Sequence, residues 1–167
     1  MTIENNVEAV TIRPLRAEDG EIAGEIFFDA VHHGTGEHYT HEQRTAWAGA
    51  SPNPSGWRNR LVDVDGFMAE LNGTPAGFMT IDASGYIDLA FVRPGALGMG
   101  VGWLLYRAIE ARAEQLGVAC LTTEASRKAR PFFERQGWTV EREQRVVKRG
   151  VSLTNFRMTK WLSSLKD

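Results

Sequence analysis

The chain has 167 residues, of which 43% are hydrophobic and 24% charged, and its net charge at pH 7 is −2. These values fit one ordinary soluble domain, because a chain of this length buries roughly 70% of its unfolded surface in a core. A nearly neutral chain also lacks the excess of Lys and Arg that nucleic-acid and membrane-surface binders carry, so we expect neither kind of partner.

The N-terminal part of the chain predicts one strand followed by helices. Residues 11–15 form a short strand-like run, and apolar residues at helical spacing over 19–33 predict an amphipathic helix. Thr40 and Gln43 have the spacing of a capping box and predict a second, short helix. Ser55 follows a loop rich in Pro and Ser, and we expect it to cap a third short helix.

The rest of the chain alternates strands and helices. Residues 67–71 and 76–81 predict a hairpin that turns at Asn72-Gly73, and residues 86–92 predict the next strand. The remaining elements are a helix over 99–116, a strand over 118–124, a helix over 129–135, and a closing hairpin of strands 139–147 and 151–158 that turns at Arg149-Gly150.

The step from strand 86–92 through a helix to strand 118–124 is a βαβ crossover, so these two strands should be parallel neighbours. The fold class is therefore mixed α/β. We expect a single domain over residues 1–167, without repeats or linkers.

The most informative segment is the glycine-rich turn between strand 86–92 and the following helix. It runs from Arg93 to Gly102 and contains four glycines. Glycines let the backbone approach an anion, and a helix start presents unpaired N–H groups with a partial positive charge. This context predicts a phosphate-binding turn; a merely flexible turn is the alternative. The glycine spacing fits neither the dinucleotide fingerprint nor a P-loop, although both remain rival readings.

Two motifs resemble those of the GNAT superfamily of N-acetyltransferases. Val92-x-Pro94 followed by Gly98-x-Gly100-Val101-Gly102-x-x-Leu105 is similar to its acetyl-CoA motif, and Ser126-x-x-Ala129-x-Pro131-Phe132-Phe133 with Gly137-Trp138 is similar to its second motif. The likeness covers about residues 11–162. His38-Tyr39-Thr40 with Gln43 and Trp47 resembles a bacterial branch often called YafP-like.

The resemblance implies a GNAT-like fold, with a mostly antiparallel twisted sheet whose one parallel pair is splayed by a bulge at the acetyl-CoA site. It implies acetyl-CoA as cosubstrate, no metal, and direct transfer of the acetyl group to an amine of a small molecule. Family members are often dimers, which makes a homodimer the assembly that the resemblance suggests. The residues expected to bind the cosubstrate are Phe91, Val92, Arg93, Leu97, Gly98, Met99, Gly100, Val101, Gly102, Trp103, Ser126, Ala129, Phe132 and Phe133.

This chain departs from the family pattern at two positions. Leu97 stands where Gln or Arg is common, which removes a side-chain contact to the diphosphate. Phe133 stands where many members carry a Tyr whose hydroxyl protonates the departing CoA thiolate. A rival function is therefore a CoA-binding regulatory or sensing module that has lost transfer. A third interpretation is an enzyme unrelated to acetyl transfer, whose glycine-rich turn binds another phosphate-containing ligand such as NAD or ATP.

Asp88 and Glu124 are the candidate proton acceptors, because each lies near the ends of the splayed strands. A solvated surface role or a helix-capping role is the alternative for each. Ser126 is expected to cap the next helix, with ligand contact also possible. Tyr106 is the catalytic candidate for relieving the thiolate, with Tyr39 as a second choice; packing with a hydrogen-bonded hydroxyl is the alternative.

The four histidines lie within ten residues, but their spacing matches no standard metal-ligand pattern, so we expect no metal. Relatives cover their acceptor site with this region, which makes His33, His38, Tyr39 and Trp47 the acceptor-pocket candidates.

The single Cys120 excludes an intrachain disulfide. It lies in an apolar run and is interpreted as a buried, inert thiol. Residues 1–10 lack the features of a secretory signal, so we expect a cytoplasmic protein.

Overall fold

The computed structural model describes residues 9–162, so most of the segment considered for a secretory signal lies outside the described residues. Within that range, strands and helices follow each other in nearly the predicted order. They are β1 (Val10–Pro14), α1 (Gly20–Gly34), α2 (His41–Ala48), α3 (Pro54–Trp57), β2 (Asp65–Leu71), β3 (Thr74–Ile81), β4 (Tyr86–Ile87), β5 (Ala90–Val92), α4 (Val101–Gln115), β6 (Cys120–Ser126), α5 (Arg130–Arg135), β7 (Thr139–Lys148) and β8 (Val151–Trp161).

The strands form two hydrogen-bonded sheets of four. One has the order β1-β2-β3-β5 and is antiparallel throughout; the other has the order β4-β6-β8-β7 and contains the parallel pair β4/β6. The predicted mixed α/β fold with one parallel pair is confirmed. The single strand expected over 86–92 is instead divided: β4 pairs with β6 through two positions only, and β5 pairs with β3.

The break between β4 and β5 falls at Asp88 and Leu89 and is held by two buried threonines. Thr123 Oγ1 donates to Ile87 O at 2.8 Å, on the side of β6. On the side of β3, Leu89 N donates to Thr80 Oγ1 at 3.1 Å, and Thr80 N donates to Leu89 O at 2.9 Å. Hydroxyl groups from two different sheets thus satisfy main-chain groups at the point of divergence, where a regular ladder cannot continue.

Apolar side chains cover both faces of the first sheet. Helix α4 packs Leu105 and Ile109 into a core shared by the two sheets, together with Phe133 of α5. Helices α1 and α3 pack Ile26 and Trp57 against the opposite face. The divergent strands are therefore clamped from outside while the gap between them stays open. No helix within residues 9–162 is both long enough and apolar enough to cross a bilayer.

Local sequence signals set the turns as expected. Thr40 Oγ1 accepts from Gln43 N at 3.1 Å and Gln43 Oε1 accepts from Thr40 N at 2.9 Å, which confirms the capping box. Both predicted hairpin turns have two consecutive residues with positive φ, as the tight type I′ turn requires. These φ values are 52° and 83° for Asn72-Gly73 and 45° and 78° for Arg149-Gly150.

Two helix starts differ from the predictions. Asn53, not Ser55, caps α3, because its side chain accepts from Gly56 N at 3.3 Å and the helix already begins at Pro54. Helix α4 begins at Val101 rather than at residue 99, because Gly98 and Gly100 have φ values of 81° and 82° and cannot belong to a right-handed helix.

Candidate functional site

The glycine-rich turn forms a cradle of free main-chain donors at the start of α4. A Cβ atom added at Gly98 or Gly100 would meet no other atom within 4 Å, so the space in front of the turn is open. Among the described residues, the amides from Gly98 to Trp103 donate to no backbone carbonyl; the first that does is Leu104, to Gly100 O at 3.0 Å. Free amides at a helix N-terminus suit an anion such as a diphosphate.

A groove of about 540 Å³ continues from this cradle along β5 and α5, and we call it the glycine groove. Lys128 and Arg135 line it and supply positive charge that the sequence analysis did not single out. The predicted cosubstrate residues that line it are Phe91, Val92, Leu97, Gly98, Gly100, Val101, Gly102, Trp103, Ala129, Phe132 and Phe133.

Three predicted cosubstrate residues do not line the glycine groove. The Arg93 guanidinium turns toward α1, where it lies 3.3 Å from Asp29. Met99 is exposed in the turn itself. Ser126 Oγ accepts from Ala129 N at 3.1 Å, which is the capping contact expected of it, and it faces a second cavity.

The second cavity, of about 420 Å³, lies at the carboxyl ends of β4 and β6, and we call it the strand-end cavity. Asp88 and Glu124 both line it, as do the predicted acceptor residues Tyr39 and Trp47. The two cavities share part of their walls. The shared residues are Ala90, Phe91, Ala129 and Phe133.

The structure brings the two candidate proton acceptors together. Tyr86 and Ile87 pair with Thr122 and Thr123, so Asp88 and Glu124 are the next residues along the two parallel strands. Burial raises the pKa of the Tyr86 hydroxyl, and the negative charges of Glu124 and Asp88 raise it further. Both carboxylates are exposed, and neither forms a salt bridge within residues 9–162. They are therefore available to a ligand in the strand-end cavity.

Tyr39 is a structural clamp at the wall of the strand-end cavity. Its hydroxyl donates to Thr154 O at 2.6 Å and accepts from Arg127 N at 2.9 Å, which ties the segment before α2 to β8 and to the segment after β6. Burial raises its pKa. Because the Tyr39 hydroxyl already donates its proton to a main-chain carbonyl, that proton is not available to a ligand.

Tyr106 is not brought to the candidate carboxylates. It lines neither cavity, and its hydroxyl donates to Glu110 while accepting from Trp138 Nε1 at 3.0 Å and Lys160 Nζ at 3.2 Å. Burial and the hydrogen bond with Glu110 raise its pKa well above the ordinary value. Its placement fits the packing alternative, and its catalytic role stays a prediction without support from the geometry.

The histidines are spread over different surroundings. His38 lines the glycine groove rather than the strand-end cavity, and the exposed His33 lies 2.7 Å from Asp29. His32 Nε2 lies 2.7 Å from Gly49 O. Among residues 9–162, no group of three or more His, Cys, Asp or Glu side chains is placed to hold a metal ion.

Comparisons with known proteins agree with this architecture. The model of the acetyltransferase (GNAT) domain matches residues 35–160. The chain is 35% identical over 155 residues to a protein described as the uncharacterized N-acetyltransferase YafP of Escherichia coli K12, with 92% of this chain and 95% of that protein covered.

Solved structures show the same fold. A GCN5-related N-acetyltransferase from Rhodopseudomonas palustris superposes with a TM-score of 0.84 at 33% identity, covering 91% of this chain and 95% of the other. PaiA N-acetyltransferase from Thermoplasma acidophilum, in complex with coenzyme A, gives 0.72 at 19% identity (92% and 99% covered). YncA from Salmonella typhimurium, with acetyl-CoA, gives 0.68 at 19% identity (95% and 97% covered). With the divergent strands and the amide cradle in place, these matches show that the chain belongs to the GNAT acetyltransferase family.

Proposed function

We propose that this enzyme transfers the acetyl group of acetyl-CoA directly to a primary amine of a small molecule, with both substrates bound at once. The observation that carries the proposal is the break at Asp88 and Leu89, which opens two cavities with a common wall at Ala90, Phe91, Ala129 and Phe133. A thioester in one cavity and an amine in the other would meet at that wall.

The glycine groove is assigned to acetyl-CoA. The free amides of residues 98–103 suit its diphosphate, and Lys128 and Arg135 add positive charge beside them. Two proteins that share the fold, PaiA and YncA, were solved with coenzyme A and acetyl-CoA respectively.

Strand β5 offers main-chain groups to the pantetheine arm. The amides of Leu89 and Arg93 point toward β3, where they donate to Thr80 Oγ1 at 3.1 Å and Ala76 O at 2.8 Å. Main-chain groups alternate sides along a strand, so those of Ala90 and Val92 point away from β3, toward the gap. The main-chain groups of Val92 and Ala90 are therefore available to the pantetheine arm. Phe91 contributes its side chain, which forms part of the shared wall.

The chemistry follows from these positions. A neutral amine attacks the thioester carbonyl; the new N–C bond forms as the C–S bond breaks, giving an N-acetyl product and CoA. Asp88 and Glu124 are assigned to take the amine proton, directly or through water. The Ala90 amide is the first free donor after the break, and we assign it to the developing oxyanion. The thiolate takes its proton from solvent, because Phe133 has none to give.

One observation favours a second candidate function. Phe133 occupies the shared wall with an apolar ring, which is what a CoA-binding sensor without transfer activity would tolerate. The two functions differ in turnover, since only an enzyme releases free thiol from acetyl-CoA in proportion to added amine.

The test measures thiol release from acetyl-CoA over a panel of amines, with the unchanged chain and with Asp88→Asn, Glu124→Gln and the double variant. We expect a loss of kcat of about 100-fold or more in the double variant, within the range for general base catalysis. Glu114→Gln is the matched control, because Glu114 is exposed on α4 and lines neither cavity. CoA binding without thiol release for every amine would refute the enzyme and favour the sensor.

A further inference from the structure

The strand-end cavity carries opposite charges on different parts of its wall. Besides Asp88 and Glu124, it is lined by Arg60, Lys148 and Arg149. Within residues 9–162, none of these five forms a salt bridge with another side chain. Charges that share a cavity without neutralising each other remain available to a ligand with complementary charges.

The strand register places the negative and positive ends far apart. Glu124 pairs with Arg157 of β8, and Lys148 pairs with Val151 of the same strand. Arg157 lies six positions along the strand from Val151, which corresponds to about 20 Å. Even with side chains reaching inward from both ends, a ligand that touches both must carry its two charges many bonds apart.

Arg149 is held in place at the positive end. Its Nη1 donates to Ala46 O at 2.9 Å and to Thr45 O at 3.5 Å, at the last turn of α2. The other guanidinium donors make no contact with a carboxylate among the described residues. A guanidinium anchored by one nitrogen loses less freedom when it binds an oxyanion with the others.

Part of the cavity wall is aromatic. Phe27, Trp47, Trp57 and Phe91 all line the cavity. The Phe27 ring lies 5.0 Å from those of Trp57 and Phe91, centroid to centroid, so these side chains form one continuous apolar surface. This surface suits an apolar spacer.

We propose that the acceptor is an elongated molecule with a primary amine at one end, an apolar spacer, and an acidic oxyanion group at the other. The amine lies at Asp88 and Glu124, where acetyl transfer occurs, and the oxyanion lies at Lys148 and Arg149. The inference rests on the proposed function and adds the class of substrate. Carboxylate and phosphonate groups share the chemistry that this end recognises.

The first experiment compares acceptors of increasing length. Thiol release is assayed with four amino acids of increasing length, each compared with its neutral carboxamide: glycine, γ-aminobutyrate, ε-aminocaproate and ω-aminocaprylate. An ω-aminoalkylphosphonate of the best length then shows whether the site prefers a phosphonate or a carboxylate. We expect kcat/KM to rise with length and the best acid to exceed its amide by about tenfold or more, the size of one charge-assisted hydrogen bond. Equal rates for acids and amides, or a preference for glycine, would overturn the inference.

The second experiment removes the positive end. Lys148→Met and Arg149→Asn, alone and combined, should lower kcat/KM for the long acid toward that of its amide while leaving the KM for acetyl-CoA unchanged. Asn is chosen at position 149 because it tolerates the positive φ of 45° there. Arg145→Met is the matched control, an exposed cation of the same hairpin that does not line the cavity.

The outcomes separate the two levels of the argument. If the unchanged chain releases thiol with the neutral amides and shows no preference for the acids, or if the variants keep the full preference for acids, the acceptor class is refuted and the transferase is left intact. No thiol release with any amine refutes both. An increased KM for acetyl-CoA in the Lys148 variant would assign this end to the cosubstrate, and would also refute the inference.

Discussion

Replacing Gly100 by Ala tests the amide cradle most directly. Gly100 has a φ of 82°, and an added Cβ would meet nothing within 4 Å. The change therefore causes no steric clash within the protein and costs only the strain of an L-residue in the left-handed region, about 1–2 kcal/mol. For a chain of this length that corresponds to a fall in Tm of about 2–8 °C. The methyl group, however, projects where the diphosphate should lie.

The structure provides a matched control at the other end of the same helix. Gly117 has a φ of 72° and equally open surroundings, and it directly follows the last turn of α4. Gly117→Ala should therefore lower the Tm of the free protein by a similar amount. Because no ligand is expected there, it should leave the affinity for CoA unchanged.

Calorimetry and thermal unfolding with CoA give the two readouts. At a CoA concentration 100 times its Kd, binding should stabilise the unchanged protein by about 2.7 kcal/mol. In Gly100→Ala we expect CoA affinity to fall by about tenfold or more, the worth of one charge-assisted hydrogen bond. Normal affinity in Gly100→Ala, or an equal loss in Gly117→Ala, would refute the assignment of the cradle.

Three further predictions concern the shared wall, the strand break and the hydrogen-bonded group of Tyr106, Glu110 and Lys160. Phe133→Tyr should raise kcat, by about tenfold or less, because a hydroxyl at the wall can protonate the thiolate; an unchanged kcat over the whole pH profile would show that thiolate departure does not limit turnover. Thr80→Val should lower the free energy of unfolding by about 1–3 kcal/mol and reduce kcat, because Leu89 N loses its acceptor, whereas Thr80→Ser should restore both in denaturation and rate assays. Burial raises the pKa of Glu110, but hydrogen bonds from Lys160 and Tyr106 outweigh it and lower the pKa below its ordinary value. A carboxyl whose pKa is lowered in the folded state stabilises the protein above its unfolded-state pKa, and this stabilisation is lost as the pH falls. Glu110→Gln should therefore make the free energy of unfolding, measured by urea titration, depend less on pH in the acid range, and an unaltered pH dependence would contradict this.

Local patterns were sufficient to predict most elements and the cradle. The capping box at Thr40 and the turns at residues 72–73 and 149–150 depend only on neighbouring residues, which is why the structure confirms them. The cradle is equally local, since glycines before a helix determine where its free amides point. The family is confirmed by a match that extends over residues 35–160, well beyond the two motifs.

The strand break could not be located from the sequence. Residues 86–92 read as one apolar strand, and the interruption depends on hydroxyls of Thr80 and Thr123, which reach it from other strands. The contribution of the last hairpin to the site could not be predicted from the sequence either. Lys148 and Arg149 line the strand-end cavity because the hairpin tip packs near α2.

Part of the hydrogen bonding of Tyr106 is predictable from its own helix. Glu110 lies one helical turn further on, at the spacing that lets two side chains on one helix face meet. In the structure the Tyr106 hydroxyl donates to Glu110, and Lys160, which lies near the end of the chain, also donates to Glu110.

The divergence of the two sheets leaves main-chain groups at Ala90 and Val92 with no strand beside them in the described part of the chain. On the proposed binding mode, the pantetheine arm fills that place and acts as a missing strand. Its departure re-exposes the seam, and opening there is what a protease needs. Digestion of this enzyme should therefore slow as acetyl-CoA is added, so that its resistance to proteases depends on the supply of the cosubstrate that it consumes.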